Sequence, residues 1–81
     1  MPDRDPLIDP QAGDIVRGIV RPSYRTITMH VHFVANGIVY LGKYFGNSEE
    51  GMLVQVSIDR WQMECREVCA VVIHKGAADG A

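Results

Sequence analysis

The residues of this 81-residue chain whose types and spacing could do chemistry are few. They are a His-x-His pair, two cysteines four apart, three arginines around a tyrosine, and one tryptophan. His30-Val31-His32 puts two imidazoles on one side of an extended strand, about 6.5–7 Å apart by the strand rise. Such a pair begins a metal site, and His74 is a conceivable third ligand. A working site needs a further ligand at about 2 Å and groups that orient the imidazoles. No His, Cys or carboxylate cluster stands at ligand spacing, so neither a metal nor a cofactor is expected. His30 and His32 then read as a solvated polar face or as part of a binding interface.

Cys65 and Cys69 are too few for a secreted disulfide framework. They read as free, buried thiols, against the alternatives of a redox pair or half of a metal site. Ser23, Ser48 and Ser57 lack the sharp glycine-flanked turn that activates a serine nucleophile. Gly13, Gly18, Gly37 and Gly42 are scattered and form no phosphate loop. Glu49 and Glu50 sit in a stretch with loop composition, where charge serves solubility. No enzyme is expected. Arg17, Arg21, Tyr24 and Arg25 are the best recognition patch, because guanidiniums beside an aromatic suit phosphates, stacked bases or a carboxylate-rich protein surface. Trp61 reads as a core plug, or as a binding hot spot if it is exposed.

Charge is distributed unevenly. The net charge is −2 and the isoelectric point about 5.8. Residues 15–45 hold Arg17, Arg21, Arg25 and Lys43 with no acid, whereas the segments on either side are each acidic. A protein that lives on phosphate neutralisation is usually basic overall. A protein partner is therefore expected first, with nucleic acid as the alternative through the Arg17–Arg25 segment. The longest apolar run, Cys69 to Ile73, is too short to span a bilayer, and Met1–Pro6 is polar and acidic, unlike a secretory signal. A cytoplasmic address and no membrane contact are expected, as a monomer or homodimer.

The elements that position these residues are mostly strands. Residues 1–12, with three prolines, read as a flexible arm, residues 13–75 as the domain, and residues 76–81 as a disordered tail. Ile15–Val20 is a first strand with a bulge or bend at Gly18. Over Thr26–Val34, Ile27, Met29, Val31 and Phe33 alternate with polar residues, which specifies a half-buried strand. Asn36-Gly37 follows as a hairpin turn and Ile38–Phe45 as the return strand. A two-residue loop then pairs Phe33 with Tyr40, Val31 with Gly42 and Met29 with Tyr44 on one apolar face. Met52–Ile58 is another strand. Asp59 caps a helical turn over residues 60–66, with a strand carrying Trp61, Met63 and Cys65 as the competing reading. Cys69–His74 closes the domain.

Five short antiparallel strands must curl or layer to bury their apolar faces. The expectation is a mainly β, five-stranded Src-homology-three-like barrel with a helical turn before the last strand. Gly13-Asp14-Ile15-Val16, the Asn36-Gly37 hairpin and Ile58-Asp59-Arg60-Trp61 before an apolar strand resemble small barrel proteins of phages and bacteria. The resemblance spans about residues 13 to 75 and carries no functional residue with it. By analogy of fold and size, it implies an accessory protein that occupies, or inhibits, a surface on a larger host assembly. Self-assembly through an exposed edge such as residues 15–20 is a third possibility. The expected core joins Val31, Phe33, Tyr40, Val54, Val56, Val71 and Ile73, and on that basis Phe33→Ala should cost ~3–5 kcal/mol in thermal stability.

Overall fold

The computed structural model describes residues 4–76. Its elements are β1 (Ile15–Val20), β2 (Arg25–Ala35), β3 (Ile38–Phe45), β4 (Met52–Ser57), α1 (Ile58–Glu67) and β5 (Val71–His74). All five strands join one antiparallel sheet in the order β4-β3-β2-β1-β5. Among the described residues β4 and β5 do not pair, so the sheet stays open and the expected barrel is not closed. β1 lies between β2 and β5, which removes residues 15–20 as a free edge.

The Asn36-Gly37 turn forms as its sequence demands, with φ of 54° and 75°, the positive angles of a type I′ turn. Beside it Phe33 pairs with Tyr40, as the two-residue loop dictates. The register then slips. Val31 pairs with Leu41 and Met29 with Lys43, leaving His32 as an extra residue in β2. A bulge of this kind reverses the alternation across it, and Phe33 leaves the face that holds Val31.

Two faces result. The inner face carries Val16, Ile27, Met29, Val31, Val39 and Leu41, all buried under Trp61 and Cys65 of α1. Trp61 is the core plug at 1% exposed, and its indole Nε1 donates to the Pro6 carbonyl at 2.9 Å. A buried tryptophan needs such a partner for its N–H, and here the segment before β1 supplies it. Gln62 holds the Ile8 carbonyl in the same way, and Leu7 packs on the core. Residues 4–12, expected as an arm, thus lie across the helix. Of the expected core, Val31 is buried and Val54 and Val56 pack against it, but Phe33, Tyr40, Val71 and Ile73 lie outside it. Phe33 is 51% exposed, Tyr40 half-buried, and Val71 and Ile73 exposed on β5.

Residues 60–66 are helical. The cap is Ser57, two residues ahead of Asp59, and its Oγ accepts from the Arg60 amide at 3.1 Å. Asp59 sits in the first turn, where its charge complements the helix dipole. At the other end Ala70 N–H donates to Cys65 O and Cys69 N–H to Arg66 O, the two bonds of a Schellman stop. Cys69 occupies the left-handed position with φ of 52°, where glycine is favoured. Val68 then packs so close over β1 that a Cβ on Gly18 would stand 2.6 Å from its carbonyl oxygen, and this contact, not a bulge, accounts for that glycine.

The deepest polar group is Asp14. Its side chain is fully buried and accepts four hydrogen bonds: from Arg4 Nη1 at 2.6 Å and Nη2 at 2.9 Å, from the Gln11 amide at 2.7 Å and from the Gly76 amide at 2.7 Å. Burial pushes the carboxyl up, but these hydrogen bonds and the Arg4 charge outweigh it and hold the group below its ordinary value. A carboxyl depressed in the fold stabilises above its unfolded value, near pH 4, and that stabilisation is lost as pH falls through the folded value. Asp14→Asn should therefore cost ~3–5 kcal/mol in denaturant melts at neutral pH, and the gap to the wild type should narrow below about pH 4. Cys69→Gly should act in the opposite sense, raising stability by ~1 kcal/mol by relieving the left-handed backbone.

Candidate functional site: the open face of the sheet

α1 and residues 4–12 cover the inner face of the sheet. The other face has no covering layer among the described residues. Across it run rows set by the pairing: Phe33–Tyr40–Gln55, Ile15–His30–Gly42–Leu53 and Arg17–Thr28–Tyr44. The Phe33 and Tyr40 rings stack with centroids 4.3 Å apart, and the His30 and His32 rings with centroids 5.4 Å apart. Gly42 is the gap between them. A Cβ there would meet the Tyr44 ring at 3.1 Å and His32 Nε2 at 3.3 Å. The Tyr44 ring thus lies close beside Gly42 on the open face.

These rings border a groove of about 580 Å³ lined by His32, Phe33, Tyr40, Leu41, Leu53, Val54 and Gln55. Leu53 is 78% exposed at its rim. Charge is nearly absent. No strand contains an acidic residue, and Arg25 and Lys43 belong to the inner side, which leaves Arg17 as the one permanent charge that the strands place on the open face. Lys43 reaches α1 and donates to Glu64 at 2.6 Å, while Arg60 holds the other oxygen of that carboxylate at 3.0 Å. Burial pushes Glu64 up, and these two partners pull it further down, below its ordinary value.

The arginines do not gather. Arg17 lies on the open face with its Nε on Thr28 Oγ1 at 3.3 Å. Arg25 pairs with Val20, on the inner side, and its guanidinium stands 5.8 Å from the Phe45 ring centre. Arg21 and Tyr24 occupy the turn between β1 and β2, beside a small hollow shared with Ile19, Val68 and Cys69. Trp61, buried as described, offers nothing to a partner. Of the binding residues singled out from sequence, His32 alone lines the groove, with His30 stacked on it. Phe33, Tyr40, Leu53 and Gln55 were missed as site residues, because strict alternation assigned Phe33 and Tyr40 to the core.

Of the two cysteines expected as buried thiols, Cys69 is exposed, because it lies past the end of the helix, and Cys65 alone is buried. Among the described residues no group of three or more His, Cys, Asp or Glu is placed to hold an ion. His74 is separated from His30 by the intervening Ile15. Cys65 is buried, and burial, with the Glu64 and Asp5 charges, pushes its thiol up to about 12, so it stays protonated and inert. Among the described residues no helix is long and apolar enough to cross a membrane.

No protein-family model, curated protein or solved structure matches the chain. The site must be read from its own geometry.

That geometry separates stability from surface. Phe33→Ala should cost only ~1 kcal/mol, since half of the ring already meets solvent, whereas Leu41→Ala, beneath the helix, should cost ~2–5 kcal/mol. Thermal melts of the two variants measure the difference. A Phe33→Ala loss as large as that of Leu41→Ala would place the ring in the core after all.

Proposed function

We propose that this chain is a non-enzymatic protein-binding module whose docking surface is the open face of the sheet, centred on the Phe33–Tyr40 groove. The bulge at His32 carries the reading. Simple alternation would bury Phe33, yet the strand takes an extra residue and turns the ring outward onto Tyr40. Bulges recur where a side chain must be re-aimed toward a functional surface. An exposed Phe33 stacked on a half-buried Tyr40 beside a groove, with hardly any charge around it, suits an apolar or aromatic side chain from a protein partner. Such a module acts by occupying a surface on a larger assembly, and inhibition is one consequence of doing so.

A nucleic-acid reading keeps one specific support: the open face is free of strand acids and carries Arg17 as well as stacked rings, features that suit single-stranded bases. One arginine supplies little phosphate neutralisation, and Arg25 points to the other side. The two readings separate in a gel-shift titration with a salt series. The protein-binding reading expects no binding to random single strands at physiological salt with tens of micromolar protein. Affinity below about ten micromolar that falls steeply with salt would reverse the order.

The protein reading has its own measurement, chemical cross-linking in the source cell with identification by mass spectrometry. A partner cross-linked to the wild type should be lost with Phe33→Ala and with Tyr40→Ala, and kept with Val71→Ser on the far edge. Equal capture by all four proteins would remove the groove from the function.

A further inference from the structure

The two edges of the sheet differ in a way that points to a second copy of this chain. β5 is protected. It has four residues, its pairing with β1 shifts register between Ile15 and Val16, Lys75 follows it, and the Gly76 amide is tied to Asp14. Short length, irregular pairing and a terminal lysine are the devices that keep an edge from pairing. β4 has none of them. Met52-Leu53-Val54-Gln55-Val56-Ser57 is six residues long, in unbroken register with β3, without proline and without charge. Among the described residues the backbone of Met52–Val56 makes no hydrogen bond beyond the β3 ladder. Met52 and Leu53, one on each face of the sheet, are both more than half exposed. An edge so regular and so apolar is a template for another strand.

We infer that β4 pairs antiparallel with β4 of a second copy about a two-fold axis at Val54, joining two open sheets into one. In a two-fold antiparallel pair, opposite residues share a face, so each must sit an even number of positions from its partner. Centring on Val54 puts Leu53 opposite Gln55 of the other copy and Met52 opposite Val56, within strand residues throughout. Centring one residue later leaves Met52 opposite Ile58, where α1 has already begun. No like charges face each other along the pair. The same register carries the Glu49-Glu50 loop of one copy toward Ser57–Arg60 of the other, where a helix N-terminus and Arg60 outweigh Asp59. On the open face the row Phe33–Tyr40–Gln55 continues into Leu53, Gly42 and His30 of the second copy, so the two grooves meet at the axis. The pairing does not depend on what the groove binds.

Sedimentation equilibrium of the full chain over about 1 to about 300 μM tests it. The wild type should pass from monomer to a species of twice the chain mass, and Val71→Lys on β5 should not change the midpoint. Leu53→Lys combined with Gln55→Lys sets cations opposite cations twice and should weaken association at least ~30-fold, whereas Leu53→Lys with Gln55→Glu sets opposite charges together and should restore it. Both positions are exposed, so the fold should survive, as circular dichroism will report. Amide hydrogen exchange needs no variant. Protection along Met52–Val56 should rise between dilute and concentrated wild-type protein while that of Val71–His74 stays constant. A wild type that remains monomeric throughout the range overturns the inference. So does a dimer that responds alike to the two double variants, or one whose concentration-dependent protection falls on β5; the groove reading would stand in each case.

Discussion

Everything in this fold hangs from a buried carboxylate. Asp14 ends the turn before β1 and takes Arg4, the Gln11 amide and the Gly76 amide onto its two oxygens. Through it the segment before β1, the start of β1 and the end of β5 become one object. Arg4 extends the network to the carbonyls of Asp9 and Gly76, and a Cβ on Gly76 would overlap Ala12. An ion lifted out of water carries a large desolvation cost, so such a group persists only where every lone pair is met. That condition explains why residues 4–12 are drawn in. They bring Arg4 to Asp14, and in passing lay Pro6 and Ile8 where Trp61 and Gln62 donate. A small chain with one helix gains a second covering element for its core in this way.

The consequence is a molecule with two unlike sides. The ion pairs, the helix and the segment before β1 all lie on the inner side, and the strands contribute no acid to either. Among the described residues one helix and residues 4–12 cover the five-stranded sheet, which buries one face and leaves the other to solvent or to a partner. Isolated apolar side chains on a surface are ordinary. A sheet face on which the strands place one permanent charge and two stacked ring pairs is not.

How much of this could be read from the residues follows from where the local rules hold. The strands, the Asn36-Gly37 turn and the helix over residues 60–66 were legible, since alternation, turn chemistry and helical spacing act over a few positions. The bulge was not. Nothing in Met29–Val34 distinguishes a strand that stays in phase from one that takes an extra residue at His32. One residue of slip transfers Phe33 and Tyr40 from core to surface, and the candidate site with them. Asp14 misled for a similar reason. Gly13-Asp14 has the composition of a turn, and the turn is real, but beyond the local Gln11 amide the partners of the carboxylate lie ten residues before it and sixty-two after. Sequence separation of that size leaves no local pattern. Closure of the barrel failed on topology alone, because strand count and hairpin order do not fix whether β4 and β5 meet.

Cys65 and Cys69 show the same contrast on a small scale. Four apart in sequence, they would be neighbours on one helix, yet the helix ends between them. Cys65 faces the core from the last full turn, while Cys69 has crossed into the left-handed residue that stops the helix. Their spacing thus records a boundary between elements, and the thiol that packs is the one held protonated by burial. The arginines obey the same logic. Arg17 and Arg25 flank a turn and look like neighbours, but strand alternation sends them to opposite sides of a sheet one residue thick. Proximity in sequence becomes proximity in space only where the element has the right period. On this chain Phe33 meets Tyr40 because the Asn36-Gly37 turn dictates it, whereas Asp14 meets Arg4 and Gly76 across spacings that give no sign of it.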